Sequence, residues 1–190
     1  MTAEELFSRL APVLAPMLEA RWNRRDLCVL STRIVIDVAE YFGIEVTPVP
    51  VQTVAYNAPF AKHVANNFEG VDVKDVKSWG DDSYSVGIGF EGVKEERGRW
   101  NGHLIAAANG CFGDFAISQV ERPQWNLITG KAIVGPIHLP KWRCIHEATG
   151  TVVEYRQSGD EGYRSGPDWH DRARRRHMVG ALIRQARQVL

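Results

Sequence analysis

The sequence predicts an α+β protein: helices first, then an antiparallel β-sheet, then a closing helix. Three observations carry this. The chain begins Thr2-x-x-Glu5 before leucines spaced four apart, which is the pattern of a capped amphipathic helix. Asn109-Gly110 stands between two apolar runs, "GHLIAAA" and "CFGDFAIS", and is a strong short hairpin signal. The last twenty or so residues alternate arginine with apolar residues at helical spacing. With no internal repeat and no linker, residues 1–190 read as a single domain.

The elements follow in order. The first helix extends to about residue 21, with Leu6, Leu10, Leu14 and Leu18 on one face; Pro12 and Pro16 are expected to break it into two pieces. Asp26 is placed to cap a second helix over residues 27–42, with Leu27, Leu30, Ile34, Val35, Val38 and Phe42 at helical spacing and Gly43 just past its end. "IEVTPVPVQTVAYN" reads as one long strand, which Pro48 and Pro50 place at a sheet edge or bend. "APFAKHVANNF" reads as a short helix and "SYSVGIGFEG" as a strand. After the hairpin come a loop, the short strand "KAIVGPIHLP" and a last strand "GTVVEYRQ". Asp168 is expected to cap a terminal helix.

Composition excludes several classes. Lys plus Arg and Asp plus Glu both count 23, so no global field favours nucleic acid or an anionic membrane. The run "DRARRRHMVGALIRQARQ" holds six arginines, but Trp169, Ala173, Val179, Leu182, Ile183 and Ala186 give it an apolar side. It reads as a solvated helix packed on the domain. No stretch reaches the roughly 18 consecutive apolar residues of a membrane span. The N-terminus is acidic where a signal peptide is basic, so the expected location is cytoplasmic. Three cysteines, Cys28, Cys111 and Cys144, make no disulfide framework. A zinc site built on Cys144 and His146 with Cys111 or Cys28 lacks the usual closely spaced cysteine pair. His170 and His177 stand two helical turns apart, too far to share a metal. No metal and no cofactor are expected. Six tryptophans are many for this length, and some are expected to line a concave site.

One constellation carries chemistry. Cys28 falls in the first turn of the second helix, where the macrodipole and first-turn N–H groups favour a thiolate and an oxyanion. A two-residue turn at Asn109-Gly110 pairs Ala108 with Cys111, His103 with Ala116 and Asp114 with Ile105. His103 and Asp114 are then diagonal neighbours on one face of the hairpin. Aspartate would orient the imidazole, and the imidazole would take the thiol proton. Weaker candidates are Trp22 and Asn23 as oxyanion donors, Gln119 as a partner of the site, and Trp100 as a wall beside the histidine.

The order of these residues resembles a known group. Cysteine at a helix start ("DLCVLSTRIVIDVAEYFGIEVTPVPV"), then histidine on one strand and aspartate on the next ("WNGHLIAAANGCFGDFAISQ"), resembles the transglutaminase-like branch of the papain-like cysteine proteases. The same order is found in arylamine N-acetyltransferases. "GDFAISQVERPQ" is similar to the aspartate end of hydrolase-like domains in actinobacterial and phage proteins. "CVLST" departs from the Gly-x-Cys-Trp or Gly-Gly-x-Cys run of several branches. The resemblance implies a papain-like fold and a Cys28–His103–Asp114 triad. The activity it implies is hydrolysis or acyl transfer on an amide, peptide, isopeptide or thioester, in a peptide, protein or small acyl substrate. The competing expectation is a non-enzymatic binding protein, or a phage or mobile-element accessory, that keeps the fold with an idle site.

Overall fold

The structure is a computed structural model and describes residues 1–22, 27–64, 82–90 and 100–188. Helix α1 covers Ala3–Trp22. Its capping box is formed: the Thr2 N–H donates to Glu5 Oε2 at 2.7 Å and the Glu5 N–H to Thr2 Oγ1 at 3.1 Å. Contrary to the expected break, α1 is continuous through Pro12 and Pro16. Both prolines are exposed, while Leu6, Leu10, Leu14 and Leu18 are buried on the opposite side. The lost backbone hydrogen bonds therefore face water, which can take the freed carbonyls.

Helix α2 covers Cys28–Tyr41. It stops where expected: Gly43 takes φ +68° and the Ile44 N–H closes back on Ala39 O at 3.0 Å. The proposed cap Asp26 lies outside the described residues. Leu27, which has no capping group, precedes the first turn.

The strands are β1 (Thr47–Tyr56), β2 (Ser85–Ile88), β3 (His103–Ala108), β4 (Cys111–Asp114), β5 (Ile133–Pro136), β6 (Lys141–His146) and β7 (Thr151–Gln157). A short helix α3, Ala58–Val64, follows β1. All pairings are antiparallel, in the order β5-β4-β3-β1-β7-β6, with β2 also on β1. β1 is thus central, correcting the expectation of an edge. The prolines are tolerated for a specific reason. Pro50 O accepts from the Ser158 N–H on the β7 side, so the Pro50 nitrogen, and that of Pro48 two residues earlier, turn to that side as well. β7 pairs only from Val51 onward, so the missing donors fall at and beyond the end of that ladder rather than within it.

β6 was not expected as a strand, although Lys141-Trp142-Arg143-Cys144 alternates polar and apolar residues with the period of a half-buried strand. It flanks β7 as the edge.

The sheet curls strongly. Phe112 on β4 and Trp142 on β6 have ring centroids 5.4 Å apart. Four strand spacings separate those strands, about 19 Å if flat. Inside the curl pack Val49, Val51, Ile105, Phe112, Val153 and Tyr155. On the other face, Ala106, Ala108 and Cys111 meet α1, α2 and the C-terminal helix. β3 is buried on both faces, which explains why "HLIAAA" is continuously apolar.

The terminal helix differs from expectation at its start. A turn α4 (Pro167–His170) comes first, then α5 (Arg172–Arg187). Asp171, not Asp168, is the cap, accepting from the Arg174 N–H at 3.0 Å. Asp168 instead pairs with the Arg174 guanidinium at 2.6 Å. The inward face also differs: Arg175, Met178, Leu182 and Ala186 are buried, and Ala173 is exposed. Arg175 is held by the Asp37 carboxylate of α2 and donates to Trp169 O at 3.2 Å. A buried guanidinium persists only when paired in this way. Among the described residues, no helix is long and apolar enough to cross a membrane.

Candidate active site

Two local structures bring the site together. The first is the hairpin. Asn109 at φ +50° and Gly110 at φ +79° form the two-residue turn, and Ala108, Ala107 and Ala106 pair with Cys111, Phe112 and Gly113. Both turn residues have positive φ, as a type I′ turn requires. The register is the one the sequence predicts. His103 opens β3 and Asp114 ends β4, both fully buried. His103 Nε2 lies 2.7 Å from Asp114 Oδ2.

The second is the first turn of α2. Thr32 Oγ1 donates to Leu104 O at 3.0 Å, fastening the helix to β3. One turn earlier, the Cys28 thiol donates to Gly102 O at 3.8 Å. Cys28 packs with Leu104, Ala116 and Tyr163 on the helix side of β3. His103 pairs with Val51 and so shares the inner side of the sheet with Ile105. The thiol and the imidazole come together at the start of β3, beside Gly102.

Asp114 is fully engaged. Its Oδ2 accepts from Nε2 of His103 and from the Tyr155 hydroxyl at 3.0 Å, and its Oδ1 accepts from the Ala116 N–H at 3.1 Å. These bonds hold the carboxylate in one orientation and fix Nε2–H as the side of the ring that faces it. Burial disfavours a charged imidazole, but the Asp114 charge and hydrogen bond and the nearby Cys28 outweigh it, lifting His103 from 6.5 to about 10. Burial also raises the Tyr155 hydroxyl, with the Asp114 charge acting in the same direction. Of the other cysteines, burial raises Cys111, and burial together with Asp114 pushes Cys144 up to about 11. Cys111 faces the helical core and Cys144 the inside of the curl, so the sheet separates them as metal ligands.

Gln119 comes back to the site on a 3₁₀ turn, Ile117–Val120, directly after β4. Its Nε2 is 2.6 Å from His103 Nδ1. Trp100 covers the cysteine side: its ring lies on Gly102, and its Nε1 donates to Asp160 Oδ2 at 2.7 Å. Tyr163 and Trp169 extend this into an edge-to-face aromatic row, with centroids 5.5 Å and 4.9 Å apart. Trp22 is elsewhere. It packs on the helical core with the Arg21 and Arg174 guanidinium groups over its ring. Asn23 lies outside the described residues.

Sequence reading missed Tyr155, Tyr163 and Trp169. Tyr155 lies on a strand far from the hairpin in sequence, and only the curl brings it to Asp114. The tryptophan count was a signal for the aromatic row, but it carries no position.

No protein-family model, no curated protein and no solved structure matches this chain.

Proposed function

We propose that this protein is a thiol-dependent hydrolase or acyltransferase of papain-like, transglutaminase-like architecture. The observation that carries the reading is the buried His103–Asp114 pair at 2.7 Å, with a helix-start cysteine beside the ring. Cys28 gives its proton to the imidazole and attacks an acyl carbon. Asp114 keeps the imidazolium oriented. The first-turn N–H groups of α2 face the developing oxyanion. His103 then protonates the leaving group, and water or an amine resolves the thioester. The acyl group comes from an amide, peptide, isopeptide or thioester.

Burial of the site favours a second reading, a binding protein with an idle site. His103 is 0% exposed and Cys28 8%, so a substrate must displace the aromatic row to reach them. One experiment separates the two. Iodoacetamide at neutral pH is expected to label Cys28 well ahead of Cys111 and Cys144, and His103→Ala should remove that preference. Slow, equal labelling of all three thiols refutes the enzyme.

A further inference from the structure

Each ring nitrogen of His103 already has a side-chain partner. Nε2 faces Asp114 at 2.7 Å, and Nδ1 faces the Gln119 carboxamide at 2.6 Å. The Cys28 thiol meanwhile donates to a backbone carbonyl, Gly102 O, at 3.8 Å. In the imidazolium, which a titration near 10 favours at neutral pH, Nδ1 carries a proton that the carboxamide oxygen can accept; in the neutral ring, with Nε2–H facing Asp114, the one in-plane lone pair is on Nδ1. That lone pair is the one a thiol proton must reach, and Gln119 occupies it. Cys28 also lies within hydrogen-bonding reach of the ring, so the carboxamide and the thiol contend for one ring nitrogen.

We propose that Gln119 is a positioning residue that competes with Cys28 for Nδ1 of His103, so that the resting site is latched and engages only when the carboxamide yields that nitrogen to the thiol. This rests on the thiol chemistry proposed above. In the exchange, the Gln119 N–H···Nδ1 bond is released. The S–H bond breaks, an Nδ1–H bond forms, and sulfur keeps the electron pair as a thiolate opposite an imidazolium. A carboxamide suits this role because it is neutral and two-sided. Turned one way it donates to a bare Nδ1, and turned over it accepts from Nδ1–H. In either state it draws Nδ1 away from sulfur. Its support is local: the turn that carries it starts three residues after Asp114, and its own backbone carbonyl accepts from Arg122 Nη1 at 3.0 Å.

Among the described residues, the charged and titratable groups around the ring are few. Asp114 faces it from β4 and Cys28 from α2; Tyr155 on β7 shares the Asp114 oxygen, and Cys144 on β6 feels the Asp114 charge. None of these changes when Gln119 is substituted, so a shift in thiol titration reports on Gln119 itself.

The test is the pH profile of Cys28 alkylation by iodoacetamide in the full chain, mapped by mass against Cys111 and Cys144. Gln119→Leu is expected to move the profile down by roughly half to one pH unit, the worth of one intramolecular hydrogen bond. Gln119→Glu places an anion on Nδ1 and is expected to move it up. Opposite shifts support the latch; a merely structural role moves both variants the same way and overturns it. Unmoved profiles, with Cys28 still selective and His103→Ala still abolishing that selectivity, overturn the latch and leave the enzyme reading standing. Labelling of Cys28 no faster than the other thiols in every form, Gln119→Leu included, overturns both. A readout without substitution also exists. The Gln119 carboxamide protons should exchange slowly and show a nuclear Overhauser contact to the His103 ring. Fast exchange with no contact overturns the latch.

Discussion

Asp114→Asn tests the centre of the site in both stability and titration. Asp114 accepts from three donors, two on Oδ2 and one on Oδ1. An asparagine keeps one oxygen. Pointed at His103 and Tyr155, it turns its NH₂ against the Ala116 N–H. Pointed at Ala116, it turns NH₂ against two donors. Each orientation leaves at least one buried donor facing another, and the imidazolium loses its counter-charge. Removing one partner of a buried charged pair costs about 3–5 kcal/mol. For a domain of this size, each kcal/mol lowers Tm by about 2–4 °C. Thermal unfolding followed by circular dichroism should therefore fall by roughly 6–20 °C. The histidine should respond as well. Without Asp114, burial acts on His103 with only Cys28 opposing, so its titration should drop far below about 10. Histidine ring NMR over pH reads this directly. A Tm within about 2 °C of the parent, with His103 still titrating near 10, would refute the role assigned to the pair.

Two further outcomes follow from the same geometry. Because His103 is raised from 6.5 to about 10 in the folded chain, its contribution to stability is fully present below about pH 6.5 and is lost as pH rises through about 10. The Tm difference between the parent and His103→Gln should shrink across that window, and a difference that grows with pH contradicts the assignment. Gly102→Ala would set a methyl 2.0 Å from Trp100 Cζ2, so the indole must leave its place against Tyr163 and Asp160. Near-UV circular dichroism should change and Cys28 should alkylate faster, at a cost of about 1–3 kcal/mol for overpacking; an unchanged spectrum means that Trp100 does not cover the cysteine.

Much of the site was legible because its signals are local. A two-residue Asn-Gly turn admits one register, and that register alone makes His103 and Asp114 neighbours. Gln119, five residues beyond Asp114, needed only a tight turn to return to the ring. The stop of α2 at Gly43 was equally local. Other features were not readable this way. Pro48 and Pro50 argued for an edge strand or a bend, yet they sit on a stretch of β1 that β7 does not pair. Six arginines read as a solvated face, yet Arg175 is buried because Asp37, on a distant helix, arrives to pair it. Trp22 was grouped with Cys28 through closeness in sequence, but α1 carries it to Arg174 of α5.

By itself, the sequence determined the capping box of α1, the glycine stop of α2 and the hairpin that sets His103 beside Asp114, since each depends on residues close along the chain. Only the tertiary structure decided the rest of the site. Curling of the sheet brings Tyr155 on β7 to Asp114 on β4. The chain between β7 and α5 lays Tyr163 and Trp169 beside Cys28. The physical reason is that strand order and curvature follow from packing two faces of one sheet at once. No local pattern encodes which distant side chain then fills the space beside a buried charge.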